Sequence, residues 1–159
     1  MRLRSSASPA RRRAAAAVEF AVVVPLLLMF LLGIVEYGRL LMAAQITTNG
    51  SREGARYAVQ ADVTPDEVSA YTRTYLAQAG IPASAIASVA TESQVSSNDP
   101  GYTAQNQGWV AATNLSGLKA GTAVRVRVVL NFDQASWLPT TVFVSRGSQL
   151  TGTTVMRKE

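Results

Sequence analysis

Protein chemistry usually needs a nucleophile, a tunable base or a set of metal ligands. This 159-residue chain contains neither histidine nor cysteine. That removes thiolate catalysis, disulfides and the usual zinc sites. A serine nucleophile would have to use Lys119 or Lys158, the only two lysines. No G-x-S-x-G elbow or phosphate-cradling glycine loop accompanies them. Asp62, Asp66 and Glu67 lie close together, but Asp66 and Glu67 read as charges at a helix start. The inventory predicts no enzyme, no cofactor, no metal and no small-molecule substrate.

One ionisable residue remains whose setting is unusual. Glu19 lies between an alanine-rich stretch (AAAAV, residues 14–18) and the run FAVVVPLLLMFLLGIV, residues 20–35. A carboxylate at the end of an apolar segment is costly to bury, and such residues are functional candidates by default. A headgroup-level position, solvated beside Arg11, Arg12 and Arg13, is the plainer reading of the same residue.

The segment that holds Glu19 defines the class of the chain. Residues 20–35 carry no charge, and residues 14–35 together number 22. At 1.5 Å per residue a helix of that length covers about 33 Å, enough to cross a bilayer core of ~30 Å. Five of the fifteen basic residues (Arg2, Arg4, Arg11, Arg12, Arg13) precede the run, and the other ten match the ten acidic residues. The pI of about 10.1 therefore belongs to the N-terminal tip. A nucleic-acid face would need basic residues spread over folded surface, so no nucleic-acid partner is expected. The positive-inside rule places the tip in the cytoplasm. Glu36, Tyr37 and Arg39 fall where an interfacial anchor belongs, with Glu36 and Arg39 spaced to meet on one helical face. A cleavable secretory signal is disfavoured, because the apolar run exceeds the usual 7–15 residues and Met42-Ala43-Ala44 is not an A-x-A site. A signal anchor that only tethers a distal domain fits the hydropathy equally well.

Residues 11–59 resemble the TadE-like family of pseudopilins, minor pilins of the tight-adherence (Flp, type IVc) pilus machinery. The resemblance rests on basic residues, a small-residue run, the triplet Val18-Glu19-Phe20 and an early proline, Pro25. It continues through Glu36-Tyr37-Gly38-Arg39 and the R-E-G-A-R-Y-A block of residues 52–58, with a last trace in TTVMRKE, residues 153–159. It implies a role in assembly or initiation of a pilus or related secretion fibre, carried by the N-terminal helix. Implied partners are other pilins, pilus platform proteins, a prepilin peptidase and membrane lipid. The implied location is the bacterial inner membrane, with the C-terminal domain outside and the subunit available to a fibre. Cutting five residues before the glutamate would fall between Ala14 and Ala15, although family members usually carry glycine where this chain has Ala14. The freed amine would then meet the Glu19 carboxylate of a neighbouring subunit and set register, with Phe20 and Pro25 on the same assembly helix. The alternative is a single-pass, membrane-tethered surface adhesin or structural domain outside any pilus, with residues 97–121 as its contact loop.

These readings divide the chain into a basic leader (1–14), a helix (15–60, spanning the membrane over about 15–37) and an extracytoplasmic domain (61–159). The helix is expected to weaken at Thr47-Thr48-Asn49-Gly50. Gly54, Ala55 and Ala58 are small enough to let it pack closely on a sheet. Thr64-Pro65-Asp66-Glu67 opens a second helix, ending before Gly80. Residues 85–96, 122–132 and 148–157 read as strands. In the second, Val124, Val126 and Val128 share one face and Arg125 and Arg127 the other. Residues 97–121 read as a long loop and 137–144 as an apolar connection. The fold class is α+β, one helix on three or four antiparallel strands.

Overall fold

A computed structural model describes residues 9–135 and 147–158, with side chains from Arg13 onward. The chain divides into two compact units, Met1–Gly38 and Arg39–Glu159. Helix α1 (Pro9–Ala58) contributes to both. The expected apolar connection at 137–144 lies outside the described residues.

Within the second unit, α1 is patterned as an amphipathic helix. Ala43, Thr47, Gly50, Ser51, Gly54, Ala55 and Ala58 are buried, whereas Met42, Gln45, Asn49, Arg52 and Arg56 are exposed. This is the three-to-four spacing of a helix with one covered face. The weakening expected around Thr47 does not occur, because α1 runs through it unbroken. Thr47 Oγ1 donates to the Ala43 carbonyl at 2.6 Å and Thr48 Oγ1 to that of Ala44 at 3.0 Å. The hydroxyls are thus satisfied inside the helix rather than competing with it. Gly50 stays because Leu76 packs there: an added Cβ would lie 2.7 Å from Leu76 Cδ2. Tertiary packing overrides propensity at this point.

Helix α2 (Pro65–Gln78) begins as its sequence predicts. Thr64 caps it, Pro65 occupies the first turn, and Thr64 and Glu67 form a reciprocal capping box. The Glu67 carboxylate accepts the Thr64 backbone N–H at 2.8 Å and its hydroxyl at 2.9 Å. These bonds hold its pKa below the ordinary value. Gly80, at φ +90°, follows the end of the helix in the left-handed region that glycine tolerates.

A short 3-10 turn (Ala83–Ala85) leads into the sheet, whose strands are β1 (Ile86–Gln94), β2 (Trp109–Ala111), β3 (Ala123–Asn131) and β4 (Gln149–Arg157). Their order is β2-β1-β3-β4, antiparallel throughout. The β1/β3 ladder shifts register between Ile86 and Ser88. The fold is α+β, as the sequence predicts. Strand β2 is an addition, lying inside the segment expected to be loop, and a one-turn helix α3 (Phe132–Ala135) follows β3.

Val124, Val126 and Val128 are fully buried, and they join Val68, Leu76, Leu115, Leu130 and Phe132 in the core. Helix α2 is joined on this sheet by the C-terminal half of α1. An added Cβ on Gly54 would lie 2.5 Å from Thr72 Oγ1 of α2 and 3.1 Å from Val126 Cγ1 of β3. The Ser51 and Thr154 hydroxyls meet at 2.8 Å, tying α1 to β4. The small residues at 54, 55 and 58 therefore do what their size suggested.

Candidate functional site

The N-terminal half of α1 has the opposite character from its C-terminal half. Val18, Phe20, Val22, Val23, Leu26, Leu27, Leu28, Met29 and Phe30 are all exposed, Phe20 by 70%. The most apolar 18-residue window has a mean hydropathy of 2.7 and none of it is buried within the chain. This helix is long and apolar enough to cross a membrane. An apolar surface of this size is stable in water only if something else covers it. Its backbone is satisfied internally, which a lipid or protein-bundle environment requires. Pro25 removes one donor, yet the helix continues through it.

Glu19 is exposed on this helix, beside Phe20 and one turn after Ala15. Ala15 and Glu19 are four apart and lie on one helical face, as do Glu19 and Val23. Ala14 and Ala15 are also exposed. Arg13 is exposed, whereas the side chains of Arg11 and Arg12 lie outside those described. Seventeen residues on, Glu36 is the next carboxylate, about 26 Å further along an ideal helix. Two acidic groups thus bracket sixteen uncharged residues.

The three residues expected at the distal boundary differ in their surroundings. Tyr37 is exposed by 62%, while Glu36 is fully buried. Arg39, the first residue of the second unit, is half-buried and donates from Nη2 to the Ala135 carbonyl at 2.9 Å. Nothing in the local sequence announces the burial of Glu36. The boundary residues therefore do not form a uniform solvated girdle.

The other ionic cluster, which sequence reasoning did not assemble, lies on the sheet. Glu92 of β1 faces Arg125 of β3 in register, with Arg125 Nε 2.5 Å from its carboxylate and Arg127 at 3.6 Å. The Arg125 guanidinium also lies over the Trp109 ring, 4.3 Å from its centroid. Its signal in the sequence was the alternation of Arg125 and Arg127 with the core valines. The cluster staples β2, β1 and β3 together. Among the described residues, no group of three acidic side chains is placed to hold a metal.

Helix α1 therefore has an exposed apolar half with a lone carboxylate near its start, and a half built into a domain. Residues 14–56 match the family model described as TadE-like protein. The matched TadE-like segment takes in Ala14, Ala15, Glu19, Phe20, Pro25, Glu36, Tyr37 and Arg39. It ends two residues short of the end of α1. The resemblance read from residues 11–59 is met over nearly all of its length. No curated protein and no solved structure matches the chain. The TadE-like match covers α1 alone; the sheet and α2 lie beyond it.

Proposed function

We propose that the chain is a pseudopilin or minor pilin acting in assembly or initiation of a tight-adherence (type IVc) pilus or a related secretion fibre. The observation that carries this reading is the coincidence of the TadE-like match with the exposed apolar half of α1 and its single carboxylate. In the proposed arrangement residues 15–37 cross the inner membrane, Arg11 to Arg13 stay on the cytoplasmic side, and the sheet domain lies outside. A prepilin peptidase cuts between Ala14 and Ala15. The new α-amino cation then lies in a packed bundle of apolar helices, and Glu19 of a neighbouring subunit neutralises it. A charge pair in low dielectric is strong, and removing one partner strands the other, so the pair acts as a registry device. The partners are other pilins and the pilus platform, whose apolar helices cover the surface that α1 leaves exposed.

Glu19→Ala tests this against the plain tether. Loss of the carboxylate leaves an apolar helix that still inserts, so the variant is expected at wild-type level in the membrane fraction. Its co-purification with pilus subunits is expected to disappear. Unchanged co-purification and pilus number in Glu19→Ala would refute the registry role.

A further inference from the structure

We propose that the polar cleft at one end of the sheet, walled by Gln94, Ser96, Ser97, Tyr102, Gln107 and Thr122, is a binding site for a neutral saccharide. The inference stands apart from the assembly reading, since no lining residue belongs to α1.

The cleft is assembled from three stretches of chain: the end of β1, the loop from Val95 to Gly108, and the entry to β3. Its volume is about 430 Å³, within the ~300–1,000 Å³ range of small-ligand sites. The loop is rich in Gly, Asn, Ser and Gln, yet it is pinned. Val95 N donates to the Gly108 carbonyl at 2.7 Å, and Ser96 N donates to the Asp99 carboxylate at 2.8 Å. The Asn106 carboxamide is a hub. Its Oδ1 accepts from Thr103 N and Gly108 N, and its Nδ2 donates to the Gly101 carbonyl. The opposite wall is fixed by Gly121 N donating to the Lys158 carbonyl and Lys158 N donating to that of Thr122. A site held this way loses little entropy on binding.

The lining selects the ligand class. Two carboxamides and four hydroxyls both donate and accept hydrogen bonds, as sugar hydroxyls do. None of the lining residues is ionisable near neutral pH, so a phosphate or carboxylate would find no counter-charge. Tyr102 is 41% exposed, and its ring packs against Gly108, where an added Cβ would lie 3.2 Å from Tyr102 Cδ2. Its apolar body and polar tip suit the mixed surface of a sugar ring. A peptide strand would instead ask for an open sheet edge and apolar side-chain pockets.

Gln107 adds a backbone signature. It sits at φ 52°, in the left-handed region, immediately before Gly108 at φ 79°. A non-glycine residue there is strained, and glycine would be free of that strain. What Gln107 supplies in exchange is a carboxamide at the cleft wall.

The test is an NMR titration of the full chain in a sugar-free detergent micelle. The probes are methyl β-glucoside, methyl β-galactoside and N,N′-diacetylchitobiose, with glucuronate as the charged counterpart. Saturable shifts at Gln94, Tyr102 and Gln107 with a neutral probe, in the millimolar range, are expected. Gln107→Gly relieves the backbone strain and so keeps the fold, yet it should weaken that binding by about tenfold. Tyr102→Ala should abolish it. The proposal is overturned if no neutral probe gives saturable shifts, if glucuronate binds more tightly, or if Gln107→Gly binds as well as the parent.

Discussion

Gly152 of β4 lies directly against the backbone of α1 at Thr47, so closely that a Cβ on it would come 2.5 Å from the Thr47 carbonyl oxygen and 2.8 Å from its carbon. The obstacle is main chain, which cannot rotate away as a side chain would. Four positions along, Ser51 and Thr154 make their 2.8 Å hydroxyl contact on the same seam. The C-terminal half of α1 is thus held to the sheet by a close backbone approach, and is a structural part of the domain.

Gly152→Ala is accordingly expected to destabilise the domain by about 1–3 kcal/mol, the usual cost of overpacking. Denaturant unfolding of the micelle-solubilised chain, followed by Trp fluorescence, measures it. Gly38→Ala is the control, because a Cβ there meets nothing within 4 Å. Equal midpoints for the two variants would contradict the close seam.

Acidification should loosen the start of α2 before it unfolds the domain. The Glu67 carboxylate is held below its ordinary pKa of 4.5 by hydrogen bonds from the Thr64 backbone and side chain. A group whose folded pKa is depressed contributes stability that is fully present above the unfolded value and is lost as pH falls through the folded one. Amides in the first turn of α2 should therefore lose hydrogen-exchange protection below about pH 4.5 in the parent. In Glu67→Gln, whose carboxamide oxygen still accepts the Thr64 N–H but does not titrate, that pH dependence should vanish. An identical pH profile in the two proteins would rule out the capping box as the source.

Processing at Ala14 makes a separate claim about the chain in cells that carry the whole pilus system. Intact-mass measurement of membrane-extracted protein should give a species beginning at Ala15, with the basic leader removed. A species that retains Met1 would remove the free amine on which the Glu19 pairing depends.

How far the sequence disclosed this molecule varies by region, for physical reasons. The apolar run and the charged tip were readable because bilayer thickness imposes length and composition directly. The α2 start was readable because a capping box is local chemistry, and β3 because Val124, Val126 and Val128 alternate with arginines. The continuity of α1 through Thr47-Thr48-Asn49-Gly50 was not readable, since it depends on Leu76 and β4 packing from elsewhere. Strand β2 was missed because three residues between glycine- and asparagine-rich stretches carry almost no periodic signal. The burial of Glu36 and the joining of Glu92 to Arg125 and Trp109 are tertiary facts. For the candidate site, Glu19 stood out from its apolar neighbours, and residues 97–121 were readable as a contact loop, whereas the closing of that loop on the entry to β3 to form the cleft was not.

The central claim is that the exposed half of α1 is an assembly surface and not merely a tether. Phe20 is the natural reporter, being 70% exposed and adjacent to Glu19. A photo-crosslinking residue at position 20, activated in intact membranes of cells producing the complete pilus machinery, should trap other pilins and platform proteins. Recovery of self-dimers alone would contradict the claim and make the helix an anchor.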